Sequence, residues 1–419
     1  MTERRDVIII GGGPGGLAAA AELKRQGVER VLVIEREQEA GGILRQCIHD
    51  GFGLTRFRKS LSGPEYAWRF LSEVRASGAE LLTNAMALNI EAPEEGTGGS
   101  FTVTAASPSG LLRYRAAAVV LAMGCRERTR GALAIPGERP AGVFTAGAAQ
   151  AYVNLKNLMP GREIVILGSG DVGLIMARRL TLEGARVLGV YEILPWPSGL
   201  PRNLRQCLQD YGIPLYLSHT VTEIHGRGRL NGLTVSQVDR ARRPIPGTER
   251  HVPCDTLILS AGLIPENELT RKAGAAIDPR TGGPVVDQYY QTGIPGLFAA
   301  GNVLQVHDLV DYVSLEAENL ARSAARFLAS GLPPCPIPVE GEGVTHTVPH
   351  FISGTEDAVV SFRVKEPLRQ GRAEVRQDGR AIYAKRLPRA VPAEMERLTL
   401  PSASLVSQNS IKVVISHDG

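Results

Sequence analysis

The chain has 419 residues, 43% of them hydrophobic and 21% charged. That is an ordinary globular balance, with length for roughly two to four domains, and it excludes a disordered tail or a small disulfide-stapled module. Lys and Arg number 47 against 43 Asp and Glu, a formal charge of +4, too mild and dispersed to steer a polyanion, so no nucleic acid partner is expected.

The 47 glycines exceed the roughly 7% of an average protein, and the first cluster lies near the start. Asp6 to Ile10 is an apolar, β-branched run. It is followed by Gly11-Gly12-Gly13-Pro14-Gly15-Gly16 and then the Ala- and Leu-rich stretch Leu17 to Arg25. The order is strand, tight turn, helix, and a second strand, Val31 to Ile34, ends at Glu35. In such a unit Gly11 permits the turn, Gly13 lets backbone approach a pyrophosphate and Gly16 lets helix and strand pack closely. The helix start offers unpaired N–H groups and a positive dipole end, and Glu35 stands where a carboxylate accepts from a ribose hydroxyl. The four-residue apolar run is shorter than the 7 to 15 of a signal peptide and the roughly 20 of a spanning helix. The run Ala116 to Met123 is equally short, so a cytoplasmic chain without a transmembrane segment is expected.

The unit returns further along. Glu163 to Leu167 reads as a strand, Gly168-Ser169-Gly170-Asp171-Val172-Gly173 as the turn, Leu174 to Glu183 as the helix, and Arg186 to Tyr191 as a strand ending at Glu192. The first glycine precedes the acid by 24 residues in both copies. Each copy closes with a short apolar strand running into glycine, Ala117 to Gly124 and Thr256 to Gly262. Two such units point to two dinucleotides and to electron transfer between them. A second copy kept only as a vestigial scaffold is the alternative, against which stand the retained Gly168, Gly170, Gly173 and Glu192. Glu192 would repel a 2′-phosphate, which predicts NAD(H) over NADP(H), although Arg178 and Arg179 follow on the helix.

Cys47, Cys125, Cys207, Cys254 and Cys335 are scattered, with no C-x-x-C or C-x4-C pair. Metal fingers, ferredoxin-type clusters and thioredoxin-like motifs need such local pairs. No metal site is expected, and the pattern suits a reducing compartment.

With these motifs in this order, the chain resembles the two-dinucleotide flavoproteins of the pyridine-nucleotide disulfide oxidoreductase superfamily over about residues 4 to 330. Three further segments carry the likeness: Glu35-Arg36-Glu37 leading to Gly41-Gly42, the strand Val119 to Gly124, and Thr292-Gly293-Ile294-Pro295-Gly296-Leu297-Phe298-Ala299-Ala300-Gly301-Asn302. The resemblance implies an α/β fold of two Rossmann-like domains like that of glutathione reductase, with the NAD domain inserted in the FAD domain. The expected boundaries are 1–153 with 276–332 for FAD and 154–275 for NAD(H). It assigns FAD to Gly11, Gly13, Gly16, Glu35, Arg36, Gly42, Gly124, Gly301 and Asn302. NAD(H) falls to Gly168, Gly170, Gly173, Glu192 and Gly262.

Two departures matter. Asn302 stands where the family usually has Asp; an amide still accepts from a ribityl hydroxyl. After Gly41-Gly42 a disulfide reductase would carry two cysteines four residues apart, and this chain has only Cys47, so a dithiol relay is excluded. A narrower likeness lies in Cys47-Ile48-His49-Asp50-Gly51-Phe52-Gly53-Leu54, in Leu194 to Asn203, and in Gly301 to Asp311. These are similar to a subfamily accompanying FAD-dependent glycerol-3-phosphate-type dehydrogenases and a small cysteine-bearing protein. More distantly they are similar to the A subunits of hydrogen cyanide synthase and opine oxidases. The partner implied by the resemblance is therefore a second FAD-dependent dehydrogenase subunit, working on glycerol 3-phosphate or an amino or hydroxy acid, with a small cysteine-bearing iron–sulfur protein as a further candidate. A stand-alone NADH oxidase or quinone reductase, and a non-catalytic assembly subunit, remain as alternatives.

Cys47 and His49 fall where the family's chain runs along the flavin, so a thiol contact and a proton-moving imidazole are candidate catalytic groups; packing roles are their alternatives. His307 follows the second FAD motif as a third candidate. Asp308 reads as the N-cap of a helix spanning 309 to 326. The prolines of Leu332 to Pro338 mark a linker. Beyond it, Ala358 to Val364, Arg372 to Gln377, Ala381 to Arg386 and Ile411 to Ile415 predict a small β-rich domain over 336–419, suited to docking or dimerisation.

Overall fold

The computed structural model describes residues 3–94 and 99–417. The chain divides into two compact units, residues 1–125 with 265–419, and residues 126–264.

In the first unit the β-branched run forms the central strand Glu3–Ile10 of a parallel sheet. It lies between Val31–Ile34 and residues 114–121 of the strand Gly110–Leu121, with Glu80–Leu82 and Leu297–Ala299 at the edges of the parallel part. Residues 110–116 of Gly110–Leu121 also pair antiparallel with Phe101–Ser107, which pairs in turn with Met86–Glu91. Register brings Ile10, Ile34 and Leu121 to one end of the sheet. That carboxyl end, beside the central strand, is where open α/β sheets bind ligands.

Helices Pro14–Arg25 and Val310–Ser330 cover one face. Ala18, Ala19, Ala20 and Leu23 of the former pack with Ala317, Leu320, Ala321 and Ala324 of the latter. Small residues on both helices permit the close approach. Helix Gly63–Ser77 starts in a capping box, with the Ser62 N–H donating to Glu65 at 2.7 Å, and buries Tyr66, Phe70 and Val74 in the same core.

The second unit repeats the plan. Five parallel strands lie in the order Leu215–Leu217, Arg186–Glu192, Glu163–Leu167, Thr256–Leu259 and Val143–Thr145, and a three-stranded antiparallel sheet spans His219–His225, Gly232–Gln237 and Arg250–Val252. The unit begins at residue 126 rather than the expected 154, because Val143–Thr145 is a strand of this sheet and Ala146–Lys156 its helix. It ends at 264 rather than 275. Around Cys207 the chain makes one α turn, Pro201–Asn203, followed by π and 3₁₀ turns to Tyr211.

The C-terminal residues form two β-sheets, of five and three strands, around Ile337, Val360, Phe362, Val375 and Val413. The strand Ala358–Val364 matches its expected bounds, while the strands through 372–377, 381–386 and 411–415 run longer, as Leu368–Gln377, Arg380–Ala390 and Ile411–His417. This sandwich clusters with the first unit. Arg363 reaches Asp308 at 3.2 Å and the carbonyl of Val306 at 3.0 Å, Arg326 pairs with Glu356 at 2.9 Å, and His350 faces Asp278 at 3.3 Å. Burial opposes the charge on Asp278, yet the His350 ring and the backbone N–H of Arg280 hold its carboxyl at about 2. No described helix is long and apolar enough to cross a membrane.

Candidate dinucleotide sites

At the first turn Gly11 has φ +107°, and a Cβ there would stand 2.3 Å from the carbonyl oxygen of Ala122. A Cβ on Gly16 would fall 1.8 Å from the Gly11 oxygen. Only glycine closes this turn against the strand. At Gly13 the space is open, with the Gly42 Cα at 3.9 Å as neighbour. Pro14 opens the helix, no side chain caps it, and its first turn holds no acid. The bare helix start and the open space above Gly13 fit a pyrophosphate.

Glu35 is buried and accepts from two backbone amides, Gly12 at 2.7 Å and Glu37 at 2.8 Å. A carboxylate has about four lone-pair sites, so capacity for a ribose diol remains. Arg36 is largely exposed and lies 3.8 Å from Glu37. Gly124 has φ +72° with open space around its Cβ position. Gly301 has φ +76° and faces Val313. Asn302 accepts the His307 backbone N–H at 3.0 Å, and its amide lies 3.5 Å from the Cys125 sulfur. The first unit thus gathers Gly11, Gly13, Gly16, Glu35 and Gly42 at one sheet end.

The three chemical candidates differ in setting. Cys47 is buried, donates to the Ile43 carbonyl at 3.3 Å, and burial pushes its thiol up to about 12. It is a neutral thiol, not a thiolate. His49 is half-buried, its ring 4.9 Å from that of Phe52. The His307 side chain is fully buried, with Nε2 3.3 Å from a Glu316 carboxylate oxygen. Asp308 does not cap the following helix, which starts at Val310 after Leu309. Its carboxylate instead accepts from Met395 and Arg363, both at 3.2 Å.

The second turn has the same skeleton. Gly168 has φ +95° and its Cβ would meet the Ser260 carbonyl oxygen at 2.3 Å, as Gly11 meets Ala122. Around that skeleton the side chains differ. Ser260 Oγ accepts the Gly173 N–H at 3.0 Å, and Asp171 accepts from Leu200 and Asn203 at 2.8 and 2.7 Å. Glu192 is buried and accepts four hydrogen bonds: the amides of Ser169 and Leu194, each at 3.0 Å, and the hydroxyls of Ser169 and Ser198 at 2.6 and 2.8 Å. Gly170 lies against Ser260, and Gly262, with φ +99°, against Arg128.

Sequence reading misses the polar residues of helix Val310–Ser330. Asp311 accepts the N–H groups of Gly53 (2.9 Å) and Arg56 (2.7 Å), Ser314 accepts the Tyr66 hydroxyl (2.8 Å), and Glu318 accepts from the Arg56 side chain (2.7 Å). Glu316 accepts from Gly301 and Gln305. The signal is their spacing: 311, 314 and 318 share one face, and 316 lies across the apolar stripe of 313, 317, 320, 321 and 324.

The A subunit of opine oxidase from Agrobacterium tumefaciens (strain Ach5) is 26% identical over 318 residues, which cover 72% of this chain and 62% of that protein. Hydrogen cyanide synthase subunit HcnB of Pseudomonas aeruginosa is 29% identical over 282 residues, 64% of this chain and 59% of the relative. The chain thus spans less than two thirds of these curated relatives. The crystal structure of T. acidophilum thioredoxin reductase superposes with a TM-score of 0.65 at 24% identity, covering 78% of this chain and all of that one, which shows a shared mixed α/β fold. The family described as pyridine nucleotide-disulphide oxidoreductase matches residues 5–324. The C-terminal sandwich lies outside this match, and the chain through its two glycine turns belongs to the pyridine nucleotide-disulphide oxidoreductase family.

Proposed function

We propose that this chain is a flavoprotein oxidoreductase that holds FAD in the first unit and takes NAD(H), in preference to NADP(H), as co-substrate in the second. The observation that carries the reading is the contrast between the two acids. Glu35 accepts only two backbone amides beside a bare helix start, whereas Glu192 already accepts four donors beside a helix start partly satisfied by Ser260. An open, backbone-lined cradle suits a resident group. A turn whose polar groups are satisfied without ligand suits one that comes and goes.

Bound FAD supplies the hydride and electron-pair chemistry. The residues of this chain would bind and orient it: the uncapped start of helix Pro14–Arg25 would hold the pyrophosphate, Glu35 the ribose, and Asn302 the ribityl chain. Glu192 takes the adenosine ribose of NAD(H), and its charge disfavours a 2′-phosphate. Gly124 and Gly262 leave room for the cofactors. Of the three chemical candidates, His49 is the one whose partly exposed ring suits proton movement. Cys47 stays protonated, and His307 serves position rather than chemistry.

We further propose that the chain works in the cytoplasm within a multi-subunit dehydrogenase. The two relatives named as subunits support this. Its partner would be a second FAD-dependent dehydrogenase that oxidises a small hydroxy or amino compound, glycerol 3-phosphate being the favoured case, with a small iron–sulfur protein as a further member. Purified chain reconstituted with FAD, then desalted, should retain one FAD per chain, and a partner flavoprotein should co-purify from the native source. A chain that retains no FAD would overturn the assignment. Rapid turnover of NADH with oxygen or quinone by the chain alone would replace the subunit reading with a stand-alone oxidase or reductase.

A further inference from the structure

The loop from Gly301 to His307 follows an edge strand and is joined to Glu316, on helix Val310–Ser330, by three contacts. One Glu316 oxygen accepts the Gly301 N–H at 2.7 Å, and the other accepts the Gln305 side-chain amide at 2.8 Å and lies 3.3 Å from His307 Nε2. All three partners belong to the segment that carries Asn302, and Asn302 in turn holds the His307 backbone N–H. Glu316 is 5% exposed, Gln305 1%, and the His307 side chain fully buried. Water therefore offers these groups no substitute partner.

The orientation of Gln305 shows which interaction dominates. Its NH₂ faces Glu316, and its carbonyl oxygen is left buried without a hydrogen-bond partner. An unsatisfied buried acceptor is costly, yet a hydrogen bond to a charged group is among the stronger ones a protein makes. The amide is turned toward the charge at the expense of its own oxygen. Burial opposes the charge on Glu316, yet the His307 ring and the bonds from Gly301 and Gln305 hold its carboxyl below the usual range.

We propose that Glu316 is the positioning residue of the second cofactor loop: a buried anion that fixes Gly301, Gln305 and His307 from behind and so sets where Asn302 meets the flavin. The inference rests on the reading that this loop borders FAD. Because Glu316 acts through the loop, substitution changes how the flavin is held and not only how stable the chain is. Glu316→Gln keeps shape but replaces one acceptor oxygen with a donor facing donors. Glu316→Asp keeps charge but shortens the reach.

The test has one arm without cofactor and one with it. In flavin-free protein, amide hydrogen exchange across residues 301–307 should quicken at least tenfold in Glu316→Gln and less in Glu316→Asp, while residues 11–16 stay as in wild type. In the second arm, apoprotein titrated with FAD should bind at least tenfold more weakly in Glu316→Gln, with partial recovery in Glu316→Asp, and the flavin midpoint potential should rise because a nearby anion is removed. Exchange at 301–307 unchanged in both variants, or FAD affinity and potential unchanged in Glu316→Gln, overturns the proposal. If Glu316→Gln does not fold, Gln305→Leu and His307→Gln remove the partners singly, and wild-type FAD affinity and potential in both overturn it equally. Faster exchange in the variant alongside wild-type protein that takes up no FAD overturns the flavin reading and leaves the anchor standing.

Discussion

The two glycine turns share one backbone and differ in what surrounds it. Both start from a left-handed glycine pressed on the carbonyl that follows a neighbouring strand, Gly11 on Ala122 and Gly168 on Ser260, at 2.3 Å from the Cβ position in each case. In the first, backbone supplies almost every contact. In the second, Ser169, Ser198, Ser260 and Asp171 bring hydroxyls and a carboxylate to the same places. A side chain can rotate away when a ligand arrives, and backbone cannot. On the proposed function, a few polar side chains set one turn for retention of its cofactor and the other for exchange.

The largest expected effect separates these regimes at the third glycine. Gly16→Ala forces a Cβ onto the backbone oxygen of Gly11, 1.8 Å away, whereas Gly173→Ala meets the side chain of Ser260 at 2.6 Å. Overpacking costs about 1–3 kcal/mol. Gly16→Ala should abolish FAD retention, measured as flavin per chain after desalting. Gly173→Ala should raise KM for NADH about tenfold, near 1.4 kcal/mol, and Ser260→Gly in the same chain should recover most of it. Equal loss of FAD from both variants would break the comparison.

Next come the acids. Glu35→Ala leaves the buried Gly12 N–H without its acceptor at about 1–3 kcal/mol, and flavin fluorescence titration should show FAD affinity falling roughly tenfold or more. Glu192→Ala should leave FAD content intact, raise KM for NADH and narrow the gap between NADH and NADPH. Ser198→Ala, which removes one of four donors on Glu192, should shift KM for NADH by no more than about threefold, the size of a single modest hydrogen bond.

The smallest effect is expected at Cys47. Burial pushes its thiol up to about 12, which keeps it protonated, and a thiolate forms only as pH climbs toward that value. A pH titration from about 6 to 9 should reveal no long-wavelength thiolate–flavin band, and Cys47→Ser should leave the flavin spectrum unchanged. A band that grows through this range would restore a redox role for the cysteine.

What the sequence made legible was local. Gly11, Gly13, Gly16 and Glu35 lie within 25 residues of one another, and the turn they build depends on little beyond that stretch, so spacing alone found both units. Long-range partners were hidden. Asp311 holds Gly53 across 258 positions, and no local rule connects them. Asp308 fits the pattern of an N-cap, but Arg363 and Met395, far along the chain, claim its carboxylate. The start of the second unit was missed because Val143–Thr145 has only three residues, and becomes a strand by pairing with Thr256–Leu259.

The central claim, a resident flavin in the first unit served by NAD(H) in the second, is tested most directly by anaerobic mixing of FAD-loaded protein with NADH. The flavin's visible absorbance should bleach in wild type, and in Glu192→Ala only at higher NADH. A flavin that stays oxidised at saturating NADH would contradict the claim.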